Sequence, residues 1–337
     1  MPLVPCLRRS VVYAVAGYLL LASLGCSRSG LSPAPAGAWS DQSRHQNDSV
    51  FVNGIYLNYL DWGGTGTPLI LLHGLGDNAH FYDDLVPALG GDFRVIAYSR
   101  RGHGRSGKAG PYDTATLVED LRQLMDSLSI TKADIGGWSF SGNELTLMAS
   151  SHPDRVGRII YLEAAYDLGD PAEAPVWEHI PDMGIAPDQS LASLDAFRRW
   201  QMRTVFPAIA DSLRLEAYFR DLVDIQSDGT VRLMAGDSLV SRIYAAGYRR
   251  DYTKVRAPAL VIAAESYADL EHGDTAQRAR NLAWERTYMD PFKRNSLERA
   301  RRELPSAQFL TVPGGHSEFL LVSRDRVAQA IRQFLGK

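Results

Sequence analysis

The amino-acid sequence predicts an α/β protein with a mostly parallel central sheet covered by helices on both faces. Short runs that are apolar throughout, such as residues 69–72, alternate with segments in which apolar residues recur at helical spacing. Strands buried on both faces of a sheet have the first pattern, and their alternation with helices indicates parallel pairing. With 337 residues, 45% of them hydrophobic, the chain can form one large domain with a buried core.

The first 26 residues have the composition of an export signal. Arg8 and Arg9 precede a mostly apolar run over residues 11–24, which is short for a membrane span. Residues 20–26, LLASLGC, resemble a bacterial lipoprotein signal, which implies acylation of Cys26. An ordinary cleaved signal and an uncleaved N-terminal anchor are the alternatives, and all three export the domain. We therefore expect a protein of the bacterial cell envelope that is attached to the membrane through Cys26.

The composition of the remaining chain limits what the protein can be. Residues 27–48 are rich in Ser, Pro, Ala and Gly and predict a flexible linker, so the folded domain is expected over residues 49–337. Cys6 and Cys26 are the two cysteines of the sequence, which leaves this domain without a disulfide or a thiolate metal site. The formal net charge is −3, and basic residues do not cluster, so nucleic acid is not expected as a partner.

The predicted elements follow the α/β order. An antiparallel hairpin opens the domain, because Asn53 and Gly54 separate two β-type runs, residues 50–52 and 55–60. Strands of the main sheet are expected at residues 69–72, 93–98, 133–137, 158–162, 259–264 and 308–312. Helices are expected near residues 117–128, 143–150, 276–304 and 324–335. Thr116 and Glu119 match a capping box for the first of these helices.

The alternation of strands and helices stops between residues 167 and 250. This segment is rich in aromatic residues and predicts an inserted helical cap. Its aromatic residues, with Met202 and Met234, indicate an apolar acyl or alcohol pocket, and simple packing is the alternative explanation.

Residues 137–142, GWSFSG, have the sequence context of a nucleophile elbow, because they follow a predicted strand and precede a helix. Such a turn strains its serine, and only small residues fit two positions to either side. Gly137 and Ser141 meet this requirement, with Ser141 in place of the second glycine of the G-x-S-x-G pattern. Ser139 is therefore the candidate nucleophile, although a Gly-Ser pair without this context is more often an ordinary turn.

Two further loops supply groups for Ser139. Residues 73–76, HGLG, end an earlier strand, where the backbone N–H of Leu75 can join that of Phe140 in holding a developing oxyanion. A PGGH sequence follows the last strand and ends at His316, the candidate general base.

The other histidines have structural interpretations. His103 lies in a glycine-rich loop that favours hydrogen bonding over proton transfer, His152 is expected at a helix end, and His179 lies in the cap. Because His, Asp and Glu do not occur at metal-ligand spacing, we expect neither a metal nor an organic cofactor.

On these motifs the chain resembles the α/β-hydrolases over about residues 50–335. The resemblance includes the elbow, the two loops and residues 101–106, RGHGRS. It implies an α/β-hydrolase fold, with a mostly parallel central sheet covered by helices, an inserted helical cap, and the chain order nucleophile, acid, histidine.

The resemblance leaves the acid open. The family usually places it after the strand at residues 259–264, where Tyr267 occupies the expected position. A subset that includes haloalkane dehalogenase-like proteins places the acid after the strand that follows the elbow helix, and Glu163 matches that pattern. We therefore expect Glu163 to be the acid, although a local pairing with an arginine such as Arg158 would also explain it. The alternatives are Asp269, Glu265 and Asp167.

Together these residues imply a serine hydrolase that acts on an ester or related acyl bond of a small molecule. His316 takes the proton of Ser139, Glu163 orients the imidazole, and water releases the acyl group. The imidazole must be neutral, so the rate should fall below a pH of about 6.5 unless Glu163 raises its pKa. Hydrolysis of an amide, lactone, thioester or C–C bond is an alternative, as is a lipid-anchored ligand-binding protein that keeps the fold.

Overall fold

The structure, a computed structural model, describes residues 39–181 and 186–337. The predicted signal over residues 1–26, Cys26 itself and most of the predicted linker lie outside the described residues. Every element discussed below lies in one compact unit, Gln42–Lys337. Among the described residues, no helix combines the length and apolar character needed to cross a membrane.

Eight strands of the described chain form one sheet in the order β1-β2-β4-β3-β5-β6-β9-β10. They are β1 (Gln46–Val52), β2 (Ile55–Asp61), β3 (Pro68–Leu72), β4 (Arg94–Tyr98), β5 (Ala133–Trp138), β6 (Val156–Leu162), β9 (Ala259–Ala264) and β10 (Gln308–Val312), with β7 (Val223–Ile225) and β8 (Val231–Leu233) in a separate hairpin. Strand β2 pairs antiparallel with β1 and β4, and the other pairs of the main sheet are parallel. The predicted mostly parallel sheet is confirmed.

Helices cover both faces of this sheet. They are α1 (Leu85–Leu89), α2 (Thr114–Ser127), α3 (Gly142–Ser151), α4 (Ala174–Glu178), α5 (Leu194–Thr204), α6 (Glu216–Leu222), α7 (Asp237–Ala245), α8 (Thr275–Trp284), α9 (Asp290–Glu303), α10 (Phe319–Val322) and α11 (Arg324–Phe334). Alternate residues of β3 explain the two layers: Leu69 and Leu71 pack in one core with α11, whereas Ile70 and Leu72 pack in the other with α2 and α3. A strand between two apolar layers must be apolar throughout, as the sequence pattern required.

The start of α2 corrects the predicted capping box. Helix α2 begins at Thr114, and the side chain of Asp113 accepts a hydrogen bond from the backbone N–H of Thr116 (3.0 Å). Thr116 therefore lies in the first turn, where its hydroxyl also donates to Asp113 (2.8 Å). Glu119 pairs with Arg122 (2.6 Å) instead of reaching back to the cap.

The cap lies between β6 and β9 and is not purely helical. It contains α4 to α7 together with the antiparallel hairpin of β7 and β8. Asp228 and Gly229 form the turn of this hairpin, with Gly229 at a φ of 85° and the Asp228 side chain accepting from the backbone N–H of Thr230 (3.0 Å). An Asp-Gly pair between β-type residues is a strong hairpin signal, and the aromatic richness of the segment obscured it.

Candidate active site

Ser139 lies in a tight turn between β5 and α3. Its φ is 58°, in the left-handed region that residues other than glycine rarely adopt. A Cβ at Gly137 would lie 2.3 Å from Ser141 Oγ, and the buried Ser141 hydroxyl donates to the carbonyl of Trp138 (2.8 Å). The close approach explains why only small residues fit here. Ser139 itself is partly exposed to a cavity.

His316 lies beside Ser139, in the loop that follows β10. Its Nε2 is 2.9 Å from Ser139 Oγ. Its backbone N–H donates to the carbonyl of Tyr267 (2.9 Å), and its own carbonyl accepts from the indole of Trp138 (3.0 Å). The ring of Tyr267 stacks on the imidazole, with centroids 4.1 Å apart and an angle of 14° between the planes. These contacts fix both the loop and the orientation of the ring.

Glu163 lies on the other side of the imidazole, directly after β6. Its Oε2 is 3.0 Å from His316 Nδ1 and also accepts a hydrogen bond from Tyr166. Its Oε1 accepts from the backbone N–H of Ala264 (2.6 Å) and lies 3.4 Å from Lys293 Nζ. Each carboxylate oxygen therefore has two polar neighbours, in a side chain that is fully buried.

The three alternative acids have other partners. Asp269 accepts from the backbone N–H groups of Glu271 (2.8 Å) and His272 (3.1 Å) and contacts the His272 ring. Asp167 pairs with Arg299, and Glu265 is exposed. Asp269, His272 and Glu318 also bring three possible ligand atoms within 4.8 Å of one another, a grouping that the sequence spacing did not suggest.

Burial and the charge of Lys293 shift the pKa values of Glu163 and His316. Burial by itself would raise the pKa of Glu163, but Lys293 and the hydrogen bonds from His316 and Tyr166 lower it below its usual value. Burial lowers the pKa of His316 and outweighs the opposite effect of Glu163, while Lys293 lowers it further. The site therefore pairs an ionised carboxylate with a neutral imidazole, which is the protonation state that a general base needs.

The loop after β3 places Leu75 at the same cavity as Ser139 and Phe140. Next to Leu75, the backbone N–H of Gly76 donates to His103 Nε2 (3.1 Å). Burial, followed by the charge of Arg100, lowers the pKa of His103 to about 3, so its ring is neutral and can accept this bond. His103 thus has a structural role in holding the loop.

The two remaining histidines of the sequence prediction lie away from Ser139. His152 is the C-cap of α3, at a helix end as predicted. His179 stacks on Tyr288, with ring centroids 4.5 Å apart.

A cavity of about 390 Å³ covers Ser139 and His316. The cap closes it mainly with aromatic and aliphatic side chains, among them Trp177, Phe197 and Trp200. Met202 and Met234, which the sequence suggested for the pocket, do not line it, and Met202 packs against the core instead. A cavity lined mainly by apolar side chains with a few polar groups suits a small organic ligand.

Comparison with known proteins agrees with this architecture. The family model described as alpha/beta hydrolase fold matches residues 67–321. The protein named carbamate hydrolase RutD in Caulobacter segnis is 36% identical over 113 residues, which are 32% of this chain and 42% of that protein. A pimeloyl-[acyl-carrier protein] methyl ester esterase of Neisseria meningitidis is 38% identical over 96 residues, 28% of this chain and 36% of that protein. The chain thus matches less than half the length of either relative.

Among solved structures, E-2-(acetamidomethylene)succinate hydrolase superposes with a TM-score of 0.68. The superposition covers 87% of this chain and 100% of that one, at 19% sequence identity. At this identity the likeness describes the fold alone.

Proposed function

Because this chain belongs to the α/β-hydrolase family, we propose that it is a serine hydrolase that cleaves an ester or a related acyl bond, with Ser139, His316 and Glu163 as its triad. One observation carries the proposal. Ser139 Oγ, the two ring nitrogens of His316 and Glu163 Oε2 form a continuous chain, with contacts of 2.9 Å and 3.0 Å. A nucleophile hydrogen-bonded to a base that a third group orients is the arrangement required for covalent catalysis.

In this proposal, Ser139 Oγ attacks the carbonyl carbon while its proton passes to His316 Nε2. The backbone N–H groups of Leu75 and Phe140 donate hydrogen bonds that stabilise the negative charge developing on the carbonyl oxygen. Glu163 stabilises the imidazolium, which then gives its proton to the leaving group. Water attacks the acyl-enzyme in the same way, releases the acid and restores Ser139.

An ester is the substrate class that we favour, since the similar proteins include a methyl ester esterase and the elbow supplies a serine. Amide, lactone, thioester and C–C bonds would use the same first step. A protein that only binds ligands would need neither the Ser139–His316 contact nor a carboxylate behind it, so this arrangement favours an enzyme.

A fluorophosphonate probe tests the proposal without a known substrate. We expect the protein to be labelled on Ser139, with the adduct located by peptide mass spectrometry, and labelling to be lost in Ser139→Ala and His316→Ala. Ser317→Ala is the matched control, because Ser317 lines the same cavity and should leave labelling intact. A folded wild-type protein that is not labelled would contradict the proposal and favour the ligand-binding alternative.

We also propose that the protein acts in the bacterial cell envelope, anchored through a lipid on Cys26. The support is the LLASLGC sequence behind a short apolar run. Metabolic labelling with a fatty acid should be abolished by Cys26→Ser and retained in Cys6→Ser, the other cysteine of the chain. Equal labelling of both variants would contradict the anchor.

A further inference from the structure

The cavity above Ser139 has carboxylates but no cationic side chain among the described residues that line it. The two carboxylates are Asp77 and Asp237. Asp77 is buried and lies two residues after Leu75, in the loop that the catalytic proposal uses. Asp237 is exposed at the start of α7, where solvent screens its charge.

The negative charge of Asp77 is only partly compensated by the protein. Tyr218 donates a hydrogen bond to its Oδ1. Burial raises the pKa of Asp77 to about 7, although Tyr218 and Arg100 act in the opposite direction. Arg100 is itself paired with Glu144 (2.6 Å) and donates to the His73 carbonyl (2.9 Å).

The charge of Asp77 also acts on Tyr82, whose hydroxyl donates to the carbonyl of Leu72 (2.6 Å). Because no described residue of the cavity lining is a Lys or Arg, a positive charge inside the cavity beside Asp77 would come from a ligand. A cation in the cavity would favour the ionised carboxylate that burial disfavours.

The rest of the lining suits an organic cation. Aromatic rings line the cavity, including those of Trp177, Trp200, Tyr218 and Tyr244. The faces of aromatic rings attract ammonium groups, and the attraction is strongest when the cation is removed from water. Asp77 and these rings line the same cavity, so one ligand can contact the buried carboxylate together with aromatic side chains.

We propose that this site selects acyl substrates that carry an organic ammonium group, which Asp77 and the surrounding aromatic rings bind. The substrate class rests on the proposed function of Ser139, whereas binding of the ammonium group does not. The cavity volume of about 390 Å³ lies in the range of small-molecule sites.

Two alcohols of the same shape isolate the contribution of the charge. Choline carries a trimethylammonium group, and 3,3-dimethylbutan-1-ol carries a neutral tert-butyl group in its place. In calorimetric titrations of the wild-type protein, we expect choline to bind at least about tenfold more tightly. Asp77→Asn, which keeps the shape and the acceptor for Tyr218, should remove most of this preference. Asp237→Asn is the matched control and should change the preference by less than about twofold, because its charge is exposed.

Three binding results would overturn the proposal. They are no binding of choline at millimolar concentration, equal affinity for the two alcohols, and a preference that survives unchanged in Asp77→Asn.

Hydrolysis then tests the substrate class from both sides of the scissile bond. The kcat/KM of acetylcholine is compared with that of 3,3-dimethylbutyl acetate. The kcat/KM of betaine methyl ester is compared with that of methyl 3,3-dimethylbutanoate. The proposal expects the cationic ester to be favoured in at least one pair, and no preference in either pair would overturn it.

Fluorophosphonate labelling separates this proposal from the proposed function. Labelling of Ser139 without a preference for the ammonium ligand would retain the hydrolase and overturn the substrate class. A preference for choline that depends on Asp77, without labelling of Ser139, would retain the ammonium site and overturn the hydrolase.

Discussion

The ends of β6 and β9 are the two places considered for the acid of the proposed triad, and they carry different side chains. The strands are parallel neighbours, and the backbone N–H of Glu163 donates to the carbonyl of Ile262 (2.7 Å). Glu163, at a φ of 49°, then sends its side chain across the end of β9, where it accepts from the N–H of Ala264 (2.6 Å). After β9 itself, Tyr267 contributes a ring that stacks on His316. A glutamate directly after β6 thus reaches the end of β9 and contacts His316.

A second buried carboxylate, that of Glu285, contacts the loop after β9. Glu285 accepts from the backbone N–H groups of Tyr267 (2.7 Å) and Ala268 (3.0 Å) and so holds the loop after β9. Burial raises the pKa of Glu285, whereas Lys293 and two hydrogen bonds more than offset burial at Glu163 and lower its pKa. The two buried carboxylates near these strand ends thus differ in the direction of their pKa shifts because their partners differ.

The largest expected effect on kcat/KM comes from removing the carboxylate of Glu163, the proposed acid after β6. Glu163→Gln keeps the size of the side chain but removes the charge that stabilises the imidazolium, so kcat/KM for a small aryl ester should fall by about 10²–10⁴-fold. Asp269→Asn is the matched control at the β9 side and should change kcat/KM by less than about twofold. A larger loss in Asp269→Asn than in Glu163→Gln would mean that the two strand ends have been assigned the wrong way round.

The next effect concerns the contact between the elbow helix and the residue after Glu163. A Cβ at Gly142 would lie 2.0 Å from the Ala164 carbonyl oxygen and 2.6 Å from Arg250 Nη1. Gly142→Ala should therefore lower the free energy of unfolding in urea by about 1–3 kcal/mol.

Gly91→Ala is the control for Gly142→Ala, because a Cβ at Gly91 meets nothing within 4 Å. It should change the free energy of unfolding by less than about 0.5 kcal/mol. Equal stability of the two variants would show that the β6 end tolerates displacement.

A smaller effect is expected from the ring after β9. Tyr267→Leu removes the ring that lies 4.1 Å from the imidazole and should lower kcat/KM by about two- to tenfold, as aromatic pairs contribute about 0.5–1.5 kcal/mol. Tyr267→Phe keeps the ring and should retain most of the activity. If Phe and Leu reduced activity equally, the phenol hydroxyl and not the stacked ring would be the important feature.

The smallest expected change is a shift in pH dependence. The proposed mechanism requires a neutral His316, so activity should be present above its pKa and lost below it. The lowered pKa places this acid limb of kcat/KM below the ordinary imidazole value of about 6.5. Lys293→Met removes a charge that lowers the pKa of His316, and the acid limb should move to higher pH. Lys293→Arg keeps the charge and should leave the limb near its wild-type position. A shift to lower pH in Lys293→Met would refute this electrostatic role.

Local patterns predicted most of the main sheet and two members of the candidate site. The apolar runs predicted the first and last residues of β9 and β10 correctly. Ser139 and His316 could be identified because each lies in a short motif directly after a strand. Glu163 required more than a local pattern, since its choice over Asp269 depended on resemblance to one subset of a family.

Other features could not be read from the sequence because they depend on contacts between distant segments. Lys293 on α9 reaches Glu163 from 130 positions along the chain, and Tyr218 on α6 reaches Asp77 across 141 positions. No spacing rule connects such pairs. The β7–β8 hairpin is different, because its Asp-Gly turn was a signal within the sequence that the helical interpretation of the cap passed over.

Proton NMR of the hydrogen bond at His316 Nδ1 tests most directly whether Glu163 is the acid. A proton held between this nitrogen and a buried carboxylate resonates far downfield of the amide protons. We expect this resonance to be present in the wild-type protein and in Asp269→Asn and absent in Glu163→Gln. A resonance that survives in Glu163→Gln and disappears in Asp269→Asn would contradict the assignment of the acid to the end of β6.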